Sequence, residues 1–198
     1  KLDSSGGILM GKLALHEFAI GGPAFDLPFP PARNPWNVNH HPGGSSSGSG
    51  SAVASGMLPA ALGTDTGGSV RNPASSCGIV GMKATYGRVS KAGVVPLSFS
   101  LDHVGPITRN VEDNALLLNA IAGYDKNDPS TEQNQKIPDF TQFLQKGVKG
   151  LRIGLIRHFY TTDLEADDEM CKAVDNAAAT FEKLGAIVEE IQVSPLSH

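Results

Sequence analysis

The apolar positions of this chain come in short runs set between glycines, and their spacing changes along the sequence. Ile8-Leu9-Met10, between Gly6-Gly7 and Gly11, reads as a buried strand. From Gly21 to Pro42 the chain is proline-rich and loop-like, suited to running over a surface or lining a mouth. Ala52 to Leu58 reads as a short, closely packed helix stopped by Pro59, and Ala60-Ala61-Leu62-Gly63-Thr64 leads into a turn at Gly67-Gly68-Ser69. Ile79 to Lys83 predicts another buried strand. Asn110 is placed to cap a helix from Val111 to about Ala122, with Asp113 three residues later and Gly123 at its end.

Toward the C-terminus the spacing becomes regular. Leu151 to Ile156 alternates as a strand. Met170, Val174, Ala177, Phe181 and Leu184 follow on one helical face closed by Gly185, and Ala186 to Ile191 forms the next strand. Strand, helix and strand in this order predict a right-handed crossover within an α/β sheet over about residues 150–192. No internal repeat is visible.

Composition narrows the function classes. With 40% hydrophobic and 18% charged residues the chain can form a core, and its net charge of −4 gives no footprint for nucleic acid. No run approaches the length of a membrane-spanning helix, so the expectation is a cytoplasmic protein without membrane partners. Cys77 and Cys171 lie far apart and outside any CxxC pair, as expected of free thiols. The adjacent His40 and His41 diverge, and the histidines show no paired ligand spacing; neither a metal nor another cofactor is expected.

The candidate chemistry lies in two small-residue loops. Gly43-Gly44-Ser45-Ser46-Ser47-Gly48-Ser49-Gly50-Ser51 could be a flexible linker, but an ordered apolar segment follows it at once. It lacks the Gly-Lys-Ser/Thr ending of a phosphate loop. Gly44-x-Ser46-x-Gly48 matches a nucleophile elbow only formally, since no strand precedes it. In the second loop Asp65-Thr66-Gly67 spells the aspartic-protease triplet, yet no second copy supplies the other carboxylate.

Together the loops closely resemble the amidase signature family. The likeness runs through Gly43-Gly44-Ser45-Ser46 and Gly63-Thr64-Asp65-Thr66-Gly67-Gly68-Ser69-Val70-Arg71, and on from Asn72 to Ser90. It takes in Leu101 to Arg109, Gly11-Lys12 and Glu17-Phe18-Ala19 as well. The resemblance implies an α/β fold, a mixed twisted sheet covered by helices on both faces, incomplete in this chain. Residues 1–198 would form part of one such domain, with a signature core at about 41–110. It implies that Ser69 attacks an amide carbonyl to form an acyl-enzyme, and that Ser45, following a cis peptide bond, relays protons. The backbone N–H groups around Thr66, Gly67, Gly68 and Ser69 would form the oxyanion hole.

Neighbouring residues fit supporting roles. Ser46, Ser47, Ser49 and Ser51 are expected to satisfy nearby backbone groups, and Ser47 stands where the family usually has glycine. Asp65 should orient its turn. Arg71 could meet a polar substrate or form an ion pair, Lys83 resembles a structural position, and Trp36 and Tyr86 suit core or rim. The family's catalytic lysine lies several dozen residues upstream of its bridging serine. Lys12 matches a different position, so the base is expected outside these 198 residues. The expectation is therefore a central fragment, inactive alone, of a protein that hydrolyses a small-molecule amide. The alternative, which needs a partner subunit, is the glutaminase-type component of a tRNA-dependent amidotransferase; the third is a non-catalytic module of the same fold. Gly21 to Pro28 resembles stand-alone amidases. A homodimer is left open.

Overall fold

A computed structural model describes residues 1–195 of the chain. It divides into two compact units, Lys1–Gln142 and Phe143–His198. Both antiparallel and parallel pairing occur, so the α/β class holds, with the two kinds of pairing in separate sheets.

The first unit is built on a three-stranded antiparallel sheet, β1 (Ala60–Asp65), β2 (Val80–Gly81) and β3 (His103–Thr108), in the order β1-β3-β2. Ala60 pairs with Thr108 and Asp65 with His103, so β1 and β3 match over their whole length. Alternation along β3 sends side chains to opposite faces. Ile107 packs with Val53 and Val70 on the side of α1 (Ser47–Ala54) and α2 (Arg71–Cys77). Val104 packs against Leu118 and Ile121 of α3 (Val111–Ile121), together with Ala84 and Val89. Helices thus cover both faces of this sheet.

Pro106 sits in the central strand without breaking it. Its carbonyl accepts from Met82 N–H at 3.1 Å, so its nitrogen faces the same side, just past the two-residue β2. The missing N–H therefore falls where the ladder has already ended.

α1 starts earlier than its residues suggest. Ser and Gly are poor helix formers, and the apolar sequence predicts a helix only from Ala52. Tertiary fit sets the start at Ser47 instead. A Cβ on Gly48 would overlap the backbone of Ala14, and one on Gly50 would lie 2.9 Å from Pro73 Cβ. The absence of side chains here is what lets the helix come so close to its neighbours. α3 follows the sequence reading: the Asn110 side chain accepts from Asp113 N–H at 2.8 Å.

Two expectations are corrected. Ile8, Leu9 and Met10 do not form a strand; they are 83%, 90% and 74% exposed, and no described strand pairs with them. The segment Ile79–Lys83 yields only the two paired residues of β2, both half-buried.

In the second unit β4 (Arg152–Leu155) pairs in parallel with β5 (Ile187–Glu190), linked by α4 (Asp168–Lys183). The Asp167 side chain caps α4 by accepting from Met170 N–H at 2.9 Å. The helix presents Cys171, Val174 and Ala178 as its half-buried line, while Met170, Phe181 and Leu184 of the predicted face remain exposed. A two-stranded sheet covers too little of the helix to bury the wider stripe. Both cysteines are free. No helix among the described residues is long and apolar enough to cross a membrane.

Candidate active site

The first loop is a turn pressed against backbone on two sides. Gly43 has φ +80°, a left-handed conformation that disfavours other residues, and a Cβ there would lie 2.6 Å from Pro73 Cα. A Cβ on Gly44 would lie 2.5 Å from the Gly21 carbonyl oxygen. The Gly44–Ser45 peptide is cis. Ser45 is fully buried; its carbonyl accepts from His16 N–H at 3.1 Å, and its hydroxyl has no hydrogen-bond partner among the described residues.

Among the described residues Ser46, Ser49 and Ser51 satisfy nearby backbone groups as expected, and Ser47 does not. Ser46 does not cap α1. Its hydroxyl instead accepts from Thr64 N–H at 3.0 Å and donates to Thr64 O at 3.3 Å, tying the loop to β1. Ser49 donates to Leu62 O at 2.8 Å and Ser51 to Arg33 O at 2.6 Å. Ser47 is buried and makes no such bond among the described residues.

The second loop leaves the end of β1 and is held from below by Asp65. This carboxylate, with its side chain fully buried, accepts from Val70 N–H at 3.2 Å and Arg71 N–H at 3.4 Å. Arg71 Nε and Nη2 reach its two oxygens at 3.0 Å each, and Lys83 Nζ stands 3.2 Å away while also donating to Thr66 O at 2.7 Å. Burial alone would push the Asp65 carboxyl up, but the bonds from Arg71, Val70 and Lys83 prevail and hold it at about 2. Asp65 is the turn's anchor, Arg71 forms the ion pair, and Lys83 is engaged structurally, as their sequence context suggested.

Above that anchor, Thr66 Oγ1 donates to Asp102 Oδ1 at 2.5 Å. The other oxygen of Asp102 accepts from Leu97 N–H at 2.9 Å and Ser98 N–H at 3.0 Å. Burial would raise the Asp102 carboxyl, and these three bonds hold it below its ordinary range instead. Gly68 has φ +142°, outside the range comfortable for a side chain. Ser69 is half-buried. No hydrogen bond among the described residues uses the N–H of Gly67, Gly68 or Ser69. Three neighbouring amides are thus left without an acceptor among the described residues.

The structure brings the two loops together. Ser46 N–H donates to the Ser69 carbonyl at 3.3 Å. Asn72, close after Ser69 in the chain, accepts from Gly44 N–H at 3.0 Å through its side chain and donates from its own N–H to Gly68 O at 2.6 Å. Sequence reasoning passed over Asn72 and Asp102, since nothing local marks partners so distant in sequence. Trp36 is not a core residue: it is 74% exposed, with its indole N–H on Cys77 O. Among the described residues no three His, Cys, Asp or Glu side chains converge on a metal position.

A cis glycine-serine turn joined to a glycine-rich serine turn, on a sheet flanked by helices, agrees with the resemblance that the sequence bears to the Amidase family. That family matches residues 1–198, running through both units, and the chain belongs to it. It is 51% identical over 193 residues to the A-subunit of glutamyl-tRNA(Gln) amidotransferase from Trichlorobacter lovleyi, covering 98% of this chain and 39% of that protein. Its identity to the corresponding protein of Halothermothrix orenii is 47% over 198 residues, covering all of this chain and 41% of that one. The crystal structure of the Thermotoga maritima A-subunit superposes with a TM-score of 0.89 at 44% identity, covering 96% of this chain and 41% of that one. The native peptide amidase of Stenotrophomonas maltophilia gives 0.82 at 36% identity, covering 96% and 40%. The chain thus spans about two fifths of the length of these relatives.

Proposed function

We propose that the full-length protein hydrolyses a carboxylic amide through a serine acyl-enzyme, with Ser69 as nucleophile and Ser45 as proton relay. Ser69 Oγ attacks the carbonyl carbon, and its proton passes to the Ser45 hydroxyl as that hydroxyl hands its own proton on. The carbonyl oxygen gains negative charge and takes hydrogen bonds from the N–H groups between Thr66 and Ser69. The C–N bond breaks as the departing nitrogen receives a proton through the same relay. Water then cleaves the ester and restores Ser69. The general base is assigned by family resemblance to a lysine outside these 198 residues, so this segment by itself is inactive.

One observation carries the reading: a fully buried Ser45 hydroxyl without a partner among the described residues, in a turn hydrogen-bonded to Ser69. A buried hydroxyl normally finds a partner, so one left without a protein partner beside the Ser69 loop is available to pass a proton. The test is labelling of full-length protein by a fluorophosphonate, with the modified peptide mapped. Adduct on Ser69, absent in Ser69→Ala, is the expected result; no adduct would support a non-catalytic module instead.

A second reading has its own support. The full protein would be the glutaminase-type component of a tRNA-dependent amidotransferase, passing ammonia to a partner subunit. Identity of 47–51% to such proteins, against 36% to a peptide amidase, favours it. The resemblance of Gly21–Pro28 to stand-alone amidases favours the first. Glutaminase activity that rises on addition of tRNA together with the partner would decide for the second.

A further inference from the structure

We infer that Asn72 is a positioning residue that sets the geometry between Ser45 and Ser69, an inference that rests on the serine-amidase reading above. Asn72 touches both loops on the residues that precede the two serines. Its Oδ1 accepts from the N–H of Gly44, the glycine joined to Ser45, at 3.0 Å. Its main-chain N–H donates to the carbonyl of Gly68, the glycine joined to Ser69, at 2.6 Å. One residue therefore sets the orientation of both loops immediately before the serines in the site.

The contact is tight on the first loop. A Cβ added to Gly43 would stand 2.8 Å from Asn72 Oδ1 and 2.6 Å from Pro73 Cα, so the turn lies directly on the Asn72–Pro73 segment. The other direct tie between the loops, Ser46 N–H to Ser69 O, is longer at 3.3 Å and attaches after the first serine rather than before it. Without the Asn72 acceptor the first turn keeps its van der Waals packing but loses the bond that fixes its rotation. Gly44 N–H has no other acceptor among the described residues. The effect should appear in the chemical step and leave affinity unchanged.

The experiment compares fluorophosphonate inactivation of full-length wild type, Asn72→Ala, Asn72→Gln and Asn72→Asp, reading kinact and KI separately. Ala removes the acceptor, Gln displaces it by a methylene, and Asp keeps it in place. The expected result is a fall in kinact of about tenfold for Ala and Gln, the weight of one hydrogen bond, with KI unchanged and Asp close to wild type. Ala reacting like wild type, or Asp falling as far as Ala, would overturn the inference while leaving the serine-amidase reading intact. Wild type that fails to label Ser69 removes that reading and this inference with it. Should Ala cost the fold by circular dichroism, Gln against Asp carries the same comparison.

Discussion

Arg71 closes on Asp65 with both ends of its guanidinium, Nε to Oδ2 and Nη2 to Oδ1, each at 3.0 Å. The carboxylate is held at about 2 against an ordinary 3.8. A depressed carboxyl stabilises the fold above its unfolded pKa and loses that contribution as pH falls through the folded value. The shift corresponds to about 2 kcal/mol, present above pH ~4 and lost progressively toward pH ~2. Urea unfolding of the full-length protein across that window should show the decline, and Asp65→Asn should flatten it. At neutral pH the same substitution leaves Arg71 and Lys83 facing a neutral group and should cost about 3 kcal/mol. An unchanged acid limb in Asp65→Asn would contradict this.

Ser45 and Ser46 are neighbours with opposite expectations. Ser45→Ala removes a hydroxyl that bonds to nothing among the described residues, so stability should hold or rise by about 1 kcal/mol. Activity should nevertheless fall at least ~100-fold. Ser46→Ala strips Thr64 N–H of its acceptor and should cost about 1–2 kcal/mol. Thermal melts of the two variants side by side give the answer; equal losses would refute the contrast.

Thr66→Val preserves shape and deletes the donor to Asp102. The carboxylate keeps its bonds from Leu97 and Ser98 but is one donor short in a buried position. The expected cost is about 1–2 kcal/mol by chemical denaturation, with the Asp102 pKa moving upward as read by NMR titration. A downward or absent shift would show that the Thr66 bond does not hold this carboxyl down.

Two glycine-to-alanine changes separate packing from space. A methyl at Gly105 would meet the Met82 carbonyl oxygen across the β3–β2 junction, so Gly105→Ala should cost about 2–3 kcal/mol. Gly67 has no heavy atom within 4 Å of that position, and Gly67→Ala should change stability by less than about 0.5 kcal/mol. Denaturation midpoints that rank these two in the reverse order would discredit the packing described here.

Features specified by nearby residues were readable before the structure, and those set by remote ones were not. Asn110 and Asp113 announce α3 because a cap is a contact over three residues. The strand-helix-strand of the second unit is readable for a similar reason, although spacing alone misplaced its buried face. β1 and β3 went unread as strands: Gly63, Gly105 and Pro106 weaken any strand pattern, and what makes them strands is their pairing with each other. Ile8-Leu9-Met10 shows the converse, because three apolar residues reveal a preference for burial and nothing about what would cover them. The cis Gly44–Ser45 link was expected only by family resemblance. The Asn72–Gly44 bond had no such guide.

The glycine-serine helix α1 has a bearing on how this protein could be altered. Its glycines sit hard against their neighbours, Gly48 on Ala14 and Gly50 on Pro73, so it has no bulky flanks that could absorb a misfit by changing rotamer. An added methyl at Gly48 has no slack to take up and would displace the stretch of chain that carries Ala14. Libraries that vary this protein should leave residues 47–50 unvaried and place diversity in segments whose side chains can repack.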